Sequence, residues 1–300
     1  MQNEVFIEIE LDVDRQQSID LAKLLDAGFL SQMTGYFEVL YEEGVQTDRS
    51  VFKLYFPVGS HSSRWDVEAL LLSVGFEDYN LTEASVDRNS YLEAYKEHYE
   101  PLRLSEHFAV IPSWQKDSPK EAAFIGQFTQ GVIPLYLDPG LAFGTGRHAT
   151  TQMMIEYIDE QSWHGKTVLD AGCGSGILSL AVLKKDAAFV TGFDVDGNAV
   201  NASVDNLKSN QIETTRFEIL QCSFDGLDQR RFDVVLANLT LNVFLQYKDV
   251  IRNLNADRLV VSGLLNEARE PFYRVFSDVW QVQSEKGSDG WLLLDLAKVQ

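Results

Sequence analysis

Two hydrophobic periodicities alternate through the first 86 residues of the chain. Apolar side chains stand at every second position from Val5 to Leu11, a pattern typical of a β-strand with one buried face. From Ile19 the apolar positions follow helical spacing, and Ala27-Gly28 marks the end of that helix. The same patterns predict the remaining elements, which are strands at Tyr36–Tyr41, Val51–Phe56 and Tyr79–Ala84 and a helix at Trp65–Val74. This order predicts a small ferredoxin-like α+β domain over residues 1–86.

Residues 87–145 break this regularity, and we expect them to form a connector and a loop ahead of a second domain. A short helical piece is predicted near Tyr91–His98. From residue 146 onward, helical segments separate predicted strands, which are Thr167–Asp170, Val190–Asp194, Phe217–Gln221, Phe232–Asn238 and Arg258–Gly263. This alternation predicts a parallel sheet with helices on both faces, a doubly wound Rossmann-like α/β domain over residues 146–300.

Composition restricts the class of protein further. The 300 residues contain no apolar run of membrane-spanning length, and the N-terminal segment lacks the basic start of a secretory signal. The two cysteines, Cys173 and Cys222, provide neither a disulfide framework nor metal-ligand spacing, so no metal site is expected. We therefore expect a cytoplasmic protein with no membrane partner.

The formal net charge is −20, and the acidic residues are concentrated near the N-terminus. Residues 1–100 hold 20 acidic and 7 basic side chains, whereas residues 101–300 hold 25 and 18. Such a surface repels a phosphate backbone, so direct contact with nucleic acid is not expected. The acidic N-terminal region is suited to steering a cationic partner, although solubility alone also explains it.

A glycine-rich turn provides the first candidate chemistry. The buried strand ending at Asp170 leads into Gly172, Gly174 and Gly176, and a helix follows from Ile177. Glycines leave the backbone accessible, and a helix N-terminus offers free N–H groups. A dinucleotide fingerprint requires a glycine where Ile177 stands. The tighter spacing instead favours a ligand without a pyrophosphate, such as S-adenosylmethionine; a purely structural turn is the alternative.

Two further strand ends carry polar side chains that fit such a ligand. Asp194 ends the next strand, where a carboxylate accepts both hydroxyl hydrogens of an adenosine ribose. Asp196 is the predicted N-cap of the helix that follows. Asn238 ends the fourth strand, and its two interpretations are a catalytic group and a helix cap. The Asn-Pro-Pro-Tyr sequence of methyltransferases that modify planar amino groups is absent, because Leu239-Thr240-Leu241 follows Asn238.

The loop Asp138–Thr151 resembles the segment before the core in the bacterial ribosomal protein methyltransferase family PrmA. Six further segments fit the same family, namely Tyr91–Lys96, Pro101-Leu102, Ile111–Trp114, Asp170–Ile177, Phe193–Asp196 and Ser262–Leu265. The resemblance runs from about residue 90 to the end of the chain. It implies a class I methyltransferase domain preceded by a ferredoxin-like domain.

The resemblance also implies function and site residues. The implied substrate is ribosomal protein eleven of the large subunit, bound by the acidic N-terminal domain. The implied methyl acceptors are lysine side chains and the N-terminal amine. Thr151, Gly172, Asp194 and Asn238 are expected to line the S-adenosylmethionine site. We add Asp170, Gly174 and Gly176 as cofactor-binding residues, assign the catalytic role to Asn238, and expect a monomer.

Two departures from the family pattern bear on the substrate. The usual Thr-His-Pro-Thr-Thr reads Arg147-His148-Ala149-Thr150-Thr151, and the usual Asn-Ile-Leu reads Asn238-Leu239-Thr240. These departures leave open the alternative that the chain is a methyltransferase for another protein or for a small amine. The sequence is also compatible with a non-catalytic cofactor-binding paralogue and, less well supported, with an RNA methyltransferase. His148 is a candidate proton acceptor, with a structural role as the simpler interpretation.

Overall fold

The computed structural model describes residues 5–26, 30, 35–39, 48–58, 63–87, 100–129, 131–138, 144–227 and 230–299. Contacts between residues divide the chain into two compact units, Met1–Tyr99 and Glu100–Gln300. The helical piece predicted near Tyr91–His98 lies outside the described residues. Within those residues, no helix combines the length and apolar character needed to cross a membrane.

The N-terminal unit has the predicted ferredoxin-like order. Its elements are β1 (Val5–Asp14), α1 (Arg15–Asp26), β2 (Gly35–Val39), β3 (Arg49–Pro57), α2 (Ser63–Ser73) and β4 (Tyr79–Asp87). The strands pair antiparallel in the order β2-β3-β1-β4. Alternate residues of β1, Ile9 and Leu11, are fully buried against Phe52 of β3 and against Leu25 and Leu71 of the two helices. The period-two pattern therefore identifies the face that carries the core.

Residues 100–145, predicted as a connector and loop, contain regular elements of their own. These are β5 (Leu102–Arg103), β6 (Phe108–Pro112), α3 (Pro119–Ile125) and β7 (Ile133–Leu137). The strands form a three-stranded sheet in the order β5-β6-β7, and every residue of β6 is buried. Ser118 caps α3 by accepting the Glu121 N–H, and Pro119 occupies the first helical position, where its missing N–H costs nothing.

The C-terminal unit is built on a seven-stranded sheet. Its strands are β8 (Thr167–Ala171), β9 (Phe189–Asp194), β10 (Phe217–Gln221), β11 (Phe232–Asn238), β12 (Ala256–Leu265), β13 (Trp280–Ser288) and β14 (Trp291–Lys298). The order is β10-β9-β8-β11-β12-β14-β13, and β14 runs antiparallel to both of its neighbours, β12 and β13. The five parallel strands were predicted, whereas the β13–β14 hairpin was not. The predicted doubly wound fold is confirmed.

Helices cover this sheet. They are α4 (Ala149–Glu160), α5 (Ile177–Lys184), α6 (Gly197–Ser209), α7 (Leu241–Gln246), α8 (Lys248–Arg252) and α9 (Arg269–Phe276). One core joins Val235 and Ala237 of β11 to Phe244 of α7 and Phe272 of α9. On the other side, α4 packs on β12 and β14, and α5 packs on β8 and β9. The strand order reverses between β8 and β11, and ligands of open α/β sheets bind at the carboxyl ends of strands beside such a reversal.

Candidate functional site

The glycine turn, residues 172–176, leaves β8 at this reversal point. Gly172, Gly174 and Gly176 have φ values of 69°, 53° and 78°, in the left-handed region that favours glycine. The Cys173 N–H donates to the carbonyl of Phe193 at 2.9 Å, which ties the turn to β9. Any residue other than glycine at these three positions would therefore strain the backbone of the turn.

Two of these glycines also lie close to other residues of the protein, which the sequence does not reveal. A Cβ atom on Gly172 would lie 2.6 Å from Cδ2 of Leu239, and one on Gly176 would lie 3.1 Å from Cα of Ser203. The sequence alone accounts for these glycines by the close approach of a ligand. The structure shows that the main chain of Ser203 also restricts position 176 to glycine, whereas the atom that faces Gly172 is the end of the flexible Leu239 side chain.

Asp194 lies at the end of β9 and holds the turn. Its Oδ2 accepts the Gly174 N–H at 3.0 Å, and its Oδ1 accepts the Asp196 N–H at 3.0 Å. Each carboxylate oxygen has a further lone pair, so these bonds leave acceptor capacity for hydroxyl groups. Asp196 caps α6 through the Asn198 N–H, as predicted.

Asp170 has a different environment from the other predicted ligands. Its side chain is buried, with the residue only 1% exposed, and its Oδ2 accepts both the N–H and the hydroxyl of Ser179, at 3.0 and 2.6 Å. Burial raises the pKa of the Asp170 carboxyl to about 6, although the bonds from Ser179 oppose that shift. Asp170 therefore acts on the turn by anchoring the start of α5.

The N-cap residue of α5 supplies no side-chain acceptor for the first turn of the helix. That residue is Gly176, which has no side chain. The first N–H groups of a helix have no partner within the helix and attract negative or polar ligand atoms. The Ser179 N–H is taken by Asp170, so Ile177 and Leu178 contribute the remaining early N–H groups at this end.

Thr151 and Asn238 meet at the same edge of the sheet although 87 positions separate them in the chain. The Nδ2 atom of Asn238, at the end of β11, lies 3.4 Å from Oγ1 of Thr151, in the first turn of α4. Thr151 is 1% exposed, while Asn238 is half-buried. The buried threonine thus orients the amide of a side chain that remains accessible.

His148 caps α4, which supports a structural role for this residue. Its Nδ1 accepts the Thr150 N–H at 3.3 Å and lies 2.6 Å from the Thr150 hydroxyl. Its ring packs edge-on against Trp291 with 4.8 Å between centroids. Ala149 occupies the first helical position, and alanine has the most favourable helix propensity of all residues.

Three polar residues that the sequence analysis missed brace the glycine turn. Ser203 donates to the carbonyl of Gly174 at 2.8 Å, and Asn206 donates to that of Ser175 at 2.9 Å. The Ser175 hydroxyl donates to the carbonyl of Gly144 at 2.6 Å. Ser203 and Asn206 are three residues apart on one face of α6 and both are buried. The sequence of this helix does not set Ser203 and Asn206 apart, because Asn201 and Asp205 are polar as well.

The site therefore combines the early N–H groups of α5, a braced turn, a carboxylate on the adjacent strand and an accessible amide. This arrangement suits a nucleoside with a polar tail, held at the sheet edge beside Asn238. Among the described residues, no cluster of His, Cys, Asp and Glu suited to a metal ion is found.

Comparisons with known proteins show which proteins this chain is similar to. A family model described as ribosomal protein L11 methyltransferase (PrmA) matches residues 17–299. The ribosomal protein L11 methyltransferase of Neisseria meningitidis serogroup A is 35% identical over 226 residues, which cover 75% of this chain and 72% of that protein. The protein of the same name from Leptospira interrogans is 28% identical over 281 residues, covering 90% and 91%.

A solved structure supports the fold. The crystal structure of a ribosomal protein L11 methylase from Lactobacillus delbrueckii subsp. bulgaricus matches with a TM-score of 0.59 and 24% identity. The match covers 67% of this chain and the whole of that one, 100%.

Proposed function

Because the chain belongs to the ribosomal protein L11 methyltransferase (PrmA) family, we propose that it transfers methyl groups from S-adenosylmethionine to amines of a large-subunit ribosomal protein. The acceptors are lysine side chains and the N-terminal α-amine. The contact between Asn238 and Thr151 at the switch point of the sheet carries this proposal, because it fixes a polar, accessible side chain beside the glycine turn.

The residues at the switch point fit S-adenosylmethionine. The carboxylate of Asp194 has acceptor capacity for the ribose hydroxyls, and the N-terminus of α5 suits the carboxylate of the amino-acid tail. Gly172, Gly174 and Gly176 give the turn its backbone path, and Asp170 supports it from the buried side. When bound, the cofactor supplies a methyl group activated on a cationic sulfonium.

The chain's own task is to present a neutral amine. A free lysine has a pKa near 10.4 and is almost entirely protonated at pH 7. A desolvated site that already holds a positive charge favours the neutral form of the amine. Asn238 then orients the amine N–H groups through its side-chain oxygen, while its Nδ2 is engaged by Thr151. His148 is committed to capping α4, so no strong base is assigned.

The acidic N-terminal unit is the proposed recognition module for the ribosomal protein. Residues 1–100 hold 20 acidic and 7 basic side chains, which favour encounter with a cationic protein. The outer face of α2 exposes Trp65 and Leu72, 74% and 67% exposed, and Ala69 lies between them at helical spacing. Exposed apolar side chains within an acidic surface suit a partner that is both cationic and partly apolar.

Mass spectrometry of ribosomal proteins from cells with and without this chain tests the function directly. We expect methylated lysine and N-terminal amine in one large-subunit protein, and their loss when the chain is absent. Labelled S-adenosylmethionine and the purified protein, added together to lysate from cells that lack this chain, test the alternative substrates that Arg147 and Thr240 suggest. Label in another protein or in a small amine, with none in ribosomal proteins, would contradict the proposed substrate.

Two substitutions separate cofactor binding from transfer. For Asn238→Ala we expect S-adenosylmethionine affinity within about tenfold of the wild type, roughly 1.4 kcal/mol, and a larger loss of methyl transfer.

For Asp194→Ala we expect mainly weakened S-adenosylmethionine affinity, measured by calorimetry, because the ribose acceptor and the hydrogen bond to Gly174 are both lost. Asp205→Ala, an exposed carboxylate on α6, is the matched control. Equal losses of binding and transfer in Asn238→Ala would refute its orienting role.

A further inference from the structure

A bulge in β12 lies close to the end of β11. The pairing of β12 with β14 shifts register between Val261 and Leu264, so Ser262 and Gly263 form the irregular step. Gly263 has a φ of 79°, in the left-handed region. The Ser262 hydroxyl is buried and donates to the carbonyl of Leu292 at 2.9 Å, which fixes the bulge to β14. Bulges next to functional sites commonly redirect the backbone.

This bulge presses Gly263 against the peptide of Leu239. The Leu239 N–H donates to the carbonyl of Ser262 at 3.1 Å. A Cβ atom on Gly263 would lie 2.5 Å from the carbonyl oxygen of Leu239 and 2.9 Å from its nitrogen. These are main-chain atoms, which cannot rotate away as a flexible side chain does. The absence of a side chain at position 263 therefore sets how closely the segment after Asn238 approaches β12.

Leu239 is confined from a second direction by the glycine turn. A Cβ atom on Gly172 would lie 2.6 Å from Cδ2 of Leu239. Leu239 thus lies between two left-handed glycines, one at the end of β8 and one in β12. Asn238 immediately precedes it and contacts Thr151. A displacement of the Leu239 peptide is therefore transmitted to Asn238.

We propose that Gly263 is a positioning residue for methyl transfer. Because Gly263 has no side chain, the Leu239 peptide packs closely against β12, and this packing holds Asn238 in contact with Thr151. Gly263 acts through Leu239 and touches no reacting atom. The inference rests on the proposed role of Asn238. It extends the site to β12, which supplied none of the residues assigned to it so far.

The variant Gly263→Ala tests this role against two matched controls. Gly290 and Gly165 also have positive φ, 84° and 73°, but an added Cβ would meet no atom within 4 Å. Gly290→Ala and Gly165→Ala therefore introduce backbone strain without a steric clash against Leu239. Relative to these controls, we expect Gly263→Ala to lower kcat by more than about tenfold and to change the S-adenosylmethionine Kd by less than about threefold.

Hydrogen exchange provides a readout that does not depend on activity. We expect the Leu239 amide to exchange faster in Gly263→Ala than in the wild type and to be unchanged in both controls. A kcat within about threefold of the controls, or a loss of affinity as large as the loss of kcat, would overturn the proposal. If the wild type itself transfers no methyl group, the proposed function fails, whereas the exchange experiment still tests the contact.

A second variant covers the case in which Gly263→Ala does not fold. Ser262→Ala removes the bond to Leu292 and adds no atom to the bulge. We expect it to lower kcat by about threefold, with an unchanged Kd for S-adenosylmethionine. An unchanged kcat would count against a positioning role for this bulge.

Discussion

At the scale of single residues, the buried carboxyl of Asp170 has a pKa that differs from that of an exposed aspartate. Its carboxyl is buried, and burial raises its pKa to about 6. Because an exposed aspartate titrates near 3.9, the folded protein binds this proton more tightly than the unfolded chain does. The contribution of Asp170 to stability is therefore complete below about pH 4 and is lost as the pH rises through about 6.

Asp170→Asn removes this titration while leaving an oxygen that can accept from Ser179. We expect the variant to gain up to about 3 kcal/mol in unfolding free energy relative to the wild type as the pH rises from 4 to 7. Urea unfolding across that range, followed by tryptophan fluorescence, measures the difference. Asp205→Asn changes the same charge at an exposed position of α6 and is the control. Parallel profiles for both variants would contradict the expectation.

At the scale of elements, the start of α4 links local capping to the site. His148 caps the helix, and Thr151 in its first turn contacts Asn238. The helix also packs on β12 and β14, so its position is set both by the cap and by the sheet. A change at His148 therefore affects stability first and transfer only through the placement of Thr151.

Substitutions at His148 separate capping from proton acceptance. His148→Ala should lower the unfolding free energy by about 1 kcal/mol, and His148→Asn by less, because asparagine is a good N-cap residue. Both variants should keep kcat within about tenfold of the wild type. Thermal unfolding and initial rates measure these effects. A folded His148→Asn protein that loses more than about a hundredfold in kcat would instead assign proton transfer to this ring.

Elements with strong local signals were predictable, and those defined by distant partners were not. Helix α5 begins at the predicted residue, and strands β10 and β11 have the predicted bounds, because glycines and polar residues end their apolar runs. The β13–β14 hairpin was missed, and the place of β14 between β12 and β13 depends on pairing across the sheet. The braces from Ser203 and Asn206 were missed for the same reason, since only the fold brings α6 to the glycine turn.

At the scale of the whole molecule, the proposed function assigns recognition and methyl transfer to different units. The methyltransferase chemistry belongs to Glu100–Gln300, while the more acidic Met1–Tyr99 has an exposed apolar helix face. The acidic surface contributes mainly to the rate of encounter with a cationic protein, and apolar anchors contribute mainly to the lifetime of the complex. Recognition and transfer should therefore respond to different substitutions.

The double variant Trp65→Ser, Leu72→Ser tests this division. We expect KM for the ribosomal protein to rise by about tenfold, with kcat and the S-adenosylmethionine Kd unchanged. KM should also rise with ionic strength, because salt screens the attraction between the partners. Val299→Ser, an exposed apolar residue of the C-terminal unit, is the control. An unchanged KM in the double variant would exclude the α2 face from recognition.

The position of β14 has a consequence for the order in which the protein is completed. β14 is synthesised after β13 but lies between β13 and β12. A chain growing on the ribosome therefore presents β12 with an open edge, and β13 has no sheet to join, until β14 has emerged. Trp291, which packs on His148, and Leu292, which accepts from Ser262, arrive with that strand. The contacts of His148 with Trp291 and of Ser262 with Leu292 therefore form only after β14 has joined the sheet.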